Sequence, residues 1–413
     1  MKKTLVLGLV LLVAFSSLFA TDKRVQALGN NPYMLIGDDA SIQLFPQRIN
    51  DMNLIYFEDI HLGSPNYLLV VGDSANSWGF YGGSVQRNDY FNIIRSMGGN
   101  AAVRMGVRFG ITSQSEVEDD KETTPTTSEE KLSQTNIMFD LEYGLDTEDM
   151  ELSTSVTFGL TPGNINSLLS FAPTPHGSFS GEYDDPINGS TKDEGKASKL
   201  SFALQVKARS NSGLFFFDNS YAVFGLAYQG GSSEYTSANT KMEDESGNQF
   251  AINSTYRVFN NQNLADDKIF LVYGLGGSLF FSRTADEGKL SGAESKDTDM
   301  SFGLVAPIVN IGLEAKLKYT TLRFGMERQI TTLGFTSSKN VYVSGSVDDE
   351  DTYSTFSLGG NGVYSYNAGM GFNYGALQLD ILINNTFWIT GPQMIFNDLY
   401  GTLGVCADLV YTF

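Results

Sequence analysis

One cysteine in 413 residues excludes an intrachain disulfide, because Cys406 has no second thiol to meet. Stability therefore has to come from packing and backbone pairing. Histidine is nearly as scarce: with only His61 and His176, a His-based catalytic constellation or a zinc site has little to work with. Basic residues are few, 27 Lys and Arg against 47 Asp and Glu, which argues against nucleic acid as a partner, since phosphate binding needs a basic face. Only ten prolines interrupt the chain. Four of them, Pro162, Pro173, Pro175 and Pro186, gather in one stretch, where no ladder donor is needed. Beyond the first twenty residues no apolar run is long enough to span a bilayer as a helix.

Those twenty residues read as a secretory leader. Lys2 and Lys3 supply the basic start, Leu5 to Phe15 the apolar stretch, and Ala20 the small residue before cleavage. Its removal leaves 393 residues with 25 basic against 47 acidic side chains, a net charge near −22. The expected organisation is a leader over 1–20, an amino-terminal periplasmic or plug segment over 21–53, and a strand-rich body over 54–413. Forty-three glycines and 29 phenylalanines with 18% charged residues suit such a body better than a disordered chain.

The body is built on period two. In the last stretch Phe413, Tyr411, Leu409, Ala407, Val405 and Leu403 fall on one face, and Thr412, Asp408, Cys406, Gly404 and Thr402 on the other. The same alternation recurs from Ala101 to Ser113, Ile137 to Leu145, Leu200 to Arg209 and Val309 to Lys318. Short connections follow Leu145, Ser210, Phe259, Tyr319 and Tyr374, and long polar ones follow Ser113, Leu160, Gln229, Arg283 and Phe335. Short and long alternate strictly, as in a membrane barrel with periplasmic turns on one side and outer loops on the other. The expected fold is all-β: a single transmembrane antiparallel barrel of about fourteen strands, the first pair taken as Asn66–Gly72 and Ser77–Gln86. Sixteen strands or twelve also fit, since Leu54 to Asp59 can join the first pair and Arg87 to Met97 can form a short periplasmic helix. A two-sheet soluble sandwich is the competing fold; it would bury the apolar faces and expose the charges.

A charge on the lipid face at mid-bilayer costs about 2 to 4 kcal/mol, so strand charges should turn inward. Arg104, Arg108, Asp140, Glu142, Lys207, Glu314, Lys316, Arg323, Glu327, Asp380 and Asp408 all stand opposite the apolar face and are the lumen candidates. Either they select solutes or they pair with one another and with the amino-terminal segment. Tyr143, Tyr319, Tyr374, Trp388 and Tyr411 sit near strand ends, where aromatic girdles meet headgroups. The acidic stretches at 116–122, 184–185, 243–245 and 348–351 lack EF-hand spacing, and no metal is assigned to them. His176, in a Pro/Gly-rich stretch, is a poor place to fix catalytic geometry, so the chain is not expected to be an enzyme.

Two resemblances add to this reading. A carboxy-terminal strand closing on Phe413, with Tyr411 before it, resembles the assembly signal of bacterial outer-membrane β-barrels. Near the other end, Ala27-Leu28-Gly29, then Asp38-Asp39-Ala40, then Phe45-Pro46, is similar to the amino-terminal segment of FadL-like and PorV-like outer-membrane proteins, with Phe45-Pro46-Gln47 where that group has Asn-Pro-Ala. The resemblance implies a bacterial outer-membrane location, contact with lipid and the barrel assembly machinery, and a plug carrying Asp38, Asp39, Phe45 and Pro46. It implies a channel or transporter for passive uptake of a small, even hydrophobic, solute without a cofactor. Its PorV-like side implies instead a closed barrel serving as scaffold, surface receptor or secretion partner, with the acidic loops meeting a surface protein.

Overall fold

The computed structural model describes residues 21–29, 31–36, 38, 41–58, 66–73, 75–82, 91–120, 126–160, 180–184, 194–237, 240–290, 293–344, 347–359, 364–374, 377–383 and 405–412. Residues 1–20, read as a leader, lie outside these residues with Asp39, both histidines, Trp388 and Phe413, as do the side chains of Tyr374, Asp408 and Tyr411.

Among the described residues there are nineteen strand segments. The first seven are β1 (Leu54–Glu58), β2 (Asn66–Val71), β3 (Trp78–Gly82), β4 (Phe91–Ser96), β5 (Ala101–Asp120), β6 (Thr126–Asp146) and β7 (Met150–Gly159). There follow β8 (Ser180–Asp184), β9 (Glu194–Ser210), β10 (Asn219–Ser237), β11 (Thr240–Leu264), β12 (Ile269–Leu290) and β13 (Ala293–Lys316). The last six are β14 (Thr320–Gln329), β15 (Thr332–Ser344), β16 (Val347–Gly359), β17 (Tyr364–Tyr374), β18 (Leu377–Ile383) and β19 (Val405–Thr412). All pairings are antiparallel, and β1 is hydrogen-bonded to β2 on one side and to β19 on the other, so the sheet returns on itself.

Some positions around this barrel hold two segments. One half of β13 pairs with β14 and the other with β15; β14 then pairs with β17 and β15 with β16. Likewise β6 pairs with β7 and, farther along, with β8. Among the described residues the strands number more than the expected fourteen, and they occupy sixteen positions around the wall. The two additional strands are β1 and β4. Phe91–Ser96, where a helix is the alternative reading, is extended, with Asn92, Ile94 and Ser96 buried and Phe91 exposed. Ile93 and Ile94 are adjacent apolar residues, and that adjacency hid the period of two.

The expected long loops after Ser113, Gln229, Arg283 and Phe335 are instead strand: β5, β6, β10 to β13, β15 and β16 run on as hairpins well past the expected strand ends. Twenty-five residues in β11, at about 3.3 Å each, extend some 80 Å, well beyond the 9 to 11 residues a bilayer needs. Ser, Thr and charged residues occupy both faces there, so hydrophobic alternation disappears although the backbone ladder continues.

In the other half the alternation is complete. Phe139, Leu141 and Tyr143 are exposed while Glu142 between them is buried; Leu322 and Phe324 flank buried Arg323; Ile311 and Leu313 flank buried Gly312. Apolar side chains outside and charges inside is the reverse of a soluble sandwich, and excludes it.

The amino-terminal segment lies inside this half. Helix α1 (Thr21–Ala27), a 3₁₀ turn at Pro32–Met34, helix α2 (Ser41–Leu44) and a 3₁₀ turn at Pro46–Asp51 follow one another. Pro32 and Pro46 open the two turns, where a fixed φ helps and a missing N–H costs nothing. Ile42 and Ile49 pack with Leu54, Tyr56, Leu68, Val70 and Ile94 of the wall. Val25, Leu28, Met34, Leu44 and Phe45 pack with Tyr221, Val223, Phe259 and Val272. Each such side chain contributes about 1.5 to 3 kcal/mol on burial.

Candidate functional site: the plugged interior and its outer chamber

The plug touches the wall at the ends bearing the short connections, residues 97–100, 147–149, 211–218, 265–268 and 317–319. Gln47 donates to the Leu145 carbonyl at 3.2 Å, Asn50 to the Gly99 carbonyl at 3.2 Å, and Asn367 to the Gln26 carbonyl at 2.8 Å. Glycines on the inner face let it come this close. A Cβ at Gly369 would stand 2.7 Å from the Ala27 Cβ, and one at Gly312 would stand 2.7 Å from the Leu28 carbonyl oxygen. A Cβ at Gly325 would overlap the Leu28–Gly29 backbone, where Gly29 itself has φ +101°, a conformation glycine adopts readily.

Three charge groups, the first fully buried and the others partly exposed, fasten plug to wall. In the first, Glu142 of β6 pairs with Arg104 of β5 and, at 2.8 Å, with Lys207 of β9; Ser153 also donates to it. Lys207 reaches the Leu44 carbonyl at 3.4 Å and Arg104 the Gln43 carbonyl at 3.2 Å, so both cations cap the end of α2. In the second, Glu314 of β13 accepts from Arg24 of α1 at 2.9 Å and from Arg323 of β14 at 2.6 Å. Arg24 also pairs with Asp38, and Arg323 with Asp380 of β18.

The third group joins Arg48 of the plug to Glu151, to Asp51 at 2.8 Å and to Asp146 at 3.4 Å. Burial works against the Arg48 charge, but Asp51, Glu151 and Asp146 outweigh it and raise its pKa above the ordinary guanidinium value. Glu151 also takes Arg209, which donates to the Tyr33 carbonyl and the Ser41 hydroxyl at 3.3 Å each and lies 5.0 Å over the Phe45 ring. Tyr33 stacks on Tyr221 with centroids 4.4 Å apart, and burial raises its phenol well above the usual tyrosine value, so it stays neutral.

Of the lumen candidates, Arg104, Glu142, Lys207, Glu314, Arg323 and Asp380 are thus brought together against the plug. Arg108 is half-buried and donates to the Met138 sulfur at 3.4 Å; Asp140 accepts from Thr157 at 2.8 Å; Glu327 accepts from Asn310 at 2.7 Å. Lys316 departs from the expectation: it ends β13 and is exposed at the short-turn rim. Of the plug candidates, Asp38 pairs with Arg24, and Phe45 and Pro46 are buried. Sequence reasoning missed Arg24, Arg48 and Glu151. The excess of Arg over Lys in residues 21–53 was the available signal, since fixed, planar guanidinium forks suit buried pairs.

Farther from the plug the inner face changes character. Ser282, Ser301, Thr336 and Thr355 are register partners in one rung across β12, β13, β15 and β16. The next rung outward is Thr284, Asp299, Ser338 and Tyr353; the next rung inward is Phe280, Gly303, Gly334 and Ser357. The two outer rungs line a depression of about 300 Å³. Ser338 donates to Asp299. A Cβ at Gly303 would overlap the Phe280 ring, which lies flat along the wall and stays 41% exposed.

No protein-family model matches the chain, and no curated protein matches it. Among solved structures it is similar to the ferric yersiniabactin uptake receptor FyuA from Yersinia pestis, with 9% identity over 87% of this chain and 80% of that one, at a TM-score of 0.32. It is also similar to the siderophore receptor PiuA from Acinetobacter baumannii, with 11% identity over 80% of this chain and 49% of that one, at a TM-score of 0.32.

Proposed function

We propose that this chain is a bacterial outer-membrane β-barrel that admits or receives a small solute and is held shut at its periplasmic end by its own amino-terminal segment. The observation that carries the reading is the seat of the plug: charge pairs and glycine contacts fix it across the short-turn end, and the hydroxyl-bearing rungs lie on the inner face beyond it. The membrane follows from the belt of exposed Phe, Leu and Tyr outside that same half, which water would not tolerate and lipid would. A sheet that returns on itself leaves no edge to be satisfied there. The resemblance to FadL-like and PorV-like barrels supports the same placement of the leading segment. Passage in this reading is passive and needs no catalysis, and the hydroxyl lining favours a polar solute over an apolar one.

A permanently sealed barrel acting as scaffold or receptor shares this architecture, and the extent of ion pairing at the plug favours it. The two readings differ in whether the plug moves. Arg24→Gln loosens the plug by removing its pairs with Glu314 and Asp38 while leaving the wall unchanged. In planar bilayers the wild-type protein is expected to open intermittently, Arg24→Gln to open more often, and a chain lacking residues 21–53 to conduct steadily. Silence in all three, from protein whose gel mobility shifts on heating as a folded barrel's does, rejects the transporter and leaves the scaffold.

A further inference from the structure

We infer that the depression on the inner face of the outer hairpins is a binding site for a neutral saccharide, resting on the reading of the barrel as a solute transporter or receptor. Seven of the ten residues lining it are Ser or Thr, and Asp299, Met300 and Tyr353 are the others. A Ser or Thr hydroxyl donates one hydrogen bond and accepts two, and turns freely to suit, which matches a ligand whose own edges are hydroxyls. The rung Ser282, Ser301, Thr336 and Thr355 presents four such groups on adjacent strands, spaced about 4.8 Å apart by the sheet itself.

The rungs on either side supply what hydroxyls alone lack. On the plug side, Gly303 has no side chain, so the Phe280 ring lies over its backbone and offers an exposed apolar face beside the hydroxyl rung. Sugar C–H faces pack on such rings, burying apolar area that a purely polar wall cannot bury. On the outer side, Tyr353 is 61% exposed and adds a second ring carrying a hydroxyl.

Charge fixes the rest of the ligand's chemistry. Among the described residues the lining holds one carboxylate, Asp299, which accepts from Ser338 and can accept from a sugar hydroxyl, and it holds no Lys or Arg. A net charge near −22 on the mature chain further disfavours anions at this mouth. A volume of about 300 Å³ lies at the lower end of small-molecule sites. An apolar ligand would leave the hydroxyl rung dehydrated and unpaired.

Calorimetric titration of the full-length mature barrel in detergent with a panel of neutral mono- to trisaccharides, glucose to maltotriose, tests this, with hexanoate as the anionic, apolar counter-probe. At least one saccharide is expected to bind, with affinity falling tenfold or more in Phe280→Ala and again in Thr336→Val, while hexanoate does not bind. Thr336→Val keeps the shape of the wall, and the heat-shifted gel mobility of each variant shows that it is folded. Absence of saccharide binding by folded wild-type protein, or binding unchanged in both variants, overturns the site. Conductance on plug release without saccharide binding sinks the site alone. Saccharide binding with no conductance in any state sinks the transporter and leaves a receptor.

Discussion

Two halves of one sheet, crossed by the same strands, hold their charges at the same distances and to different ends. Around the plug, Lys207 meets Glu142 at 2.8 Å with both side chains fully buried. On the outer hairpins, Lys339 meets Glu350 at 2.7 Å with each side chain about half exposed. Geometry alone cannot tell these pairs apart; solvent does. In the buried half a lone charge has nowhere to go, so each pair fixes which plug atom faces which strand. Outside, water replaces either partner, and the ladder of backbone bonds holds the hairpins without help.

The comparison breaks first at Glu142. Glu142→Ala leaves Arg104 and Lys207 without their shared anion in a buried site, and a loss of about 3 to 5 kcal/mol is expected, read as a lower temperature for loss of the folded gel form. An unchanged temperature would show that the interior is wet and that the two halves do not differ in kind. Gly325→Val comes next, since its side chain would overlap Leu28 and Gly29. Here the barrel should stay folded at a cost of about 1 to 3 kcal/mol, while protease cleaves within residues 21–51 sooner than in wild type. Last and smallest, Lys339→Ala on the outer hairpin should shift stability by no more than about 1 kcal/mol, and the shift should vanish in high salt.

How much of this could be read beforehand follows from the same contrast. Where one face is exposed and apolar and the other a charged interior, as at Phe139 to Tyr143 or Ile311 to Glu314, the period of two is written in the side chains, and the inward set is legible. Glu314 and Arg323 face each other across one hairpin, so their meeting needs only the register set by a short turn. Arg24 and Glu314 were not legible as partners: 290 residues separate them, and only the completed ring brings them together. The outer ends of the hairpins failed to register because Ser, Thr and charged residues stand on both faces along stretches such as 284–289 and 293–299, which leaves no alternation to read. The hydroxyl rung shares that invisibility. Ser282, Ser301, Thr336 and Thr355 lie on four strands and form a row only through register.

The leading position of the plug also sets an order of events. Its first helix is fastened to Glu314 and, through the Gln26 carbonyl, to Asn367, the latter 341 residues farther along the chain. A segment that emerges first must therefore wait for strands that emerge last, and the long-range closure it depends on is the slow part of any such topology. Docking of α1 thus reports completion: a barrel missing β14 or β17 offers it no berth, and the aperture is stoppered only once the wall around it has been finished.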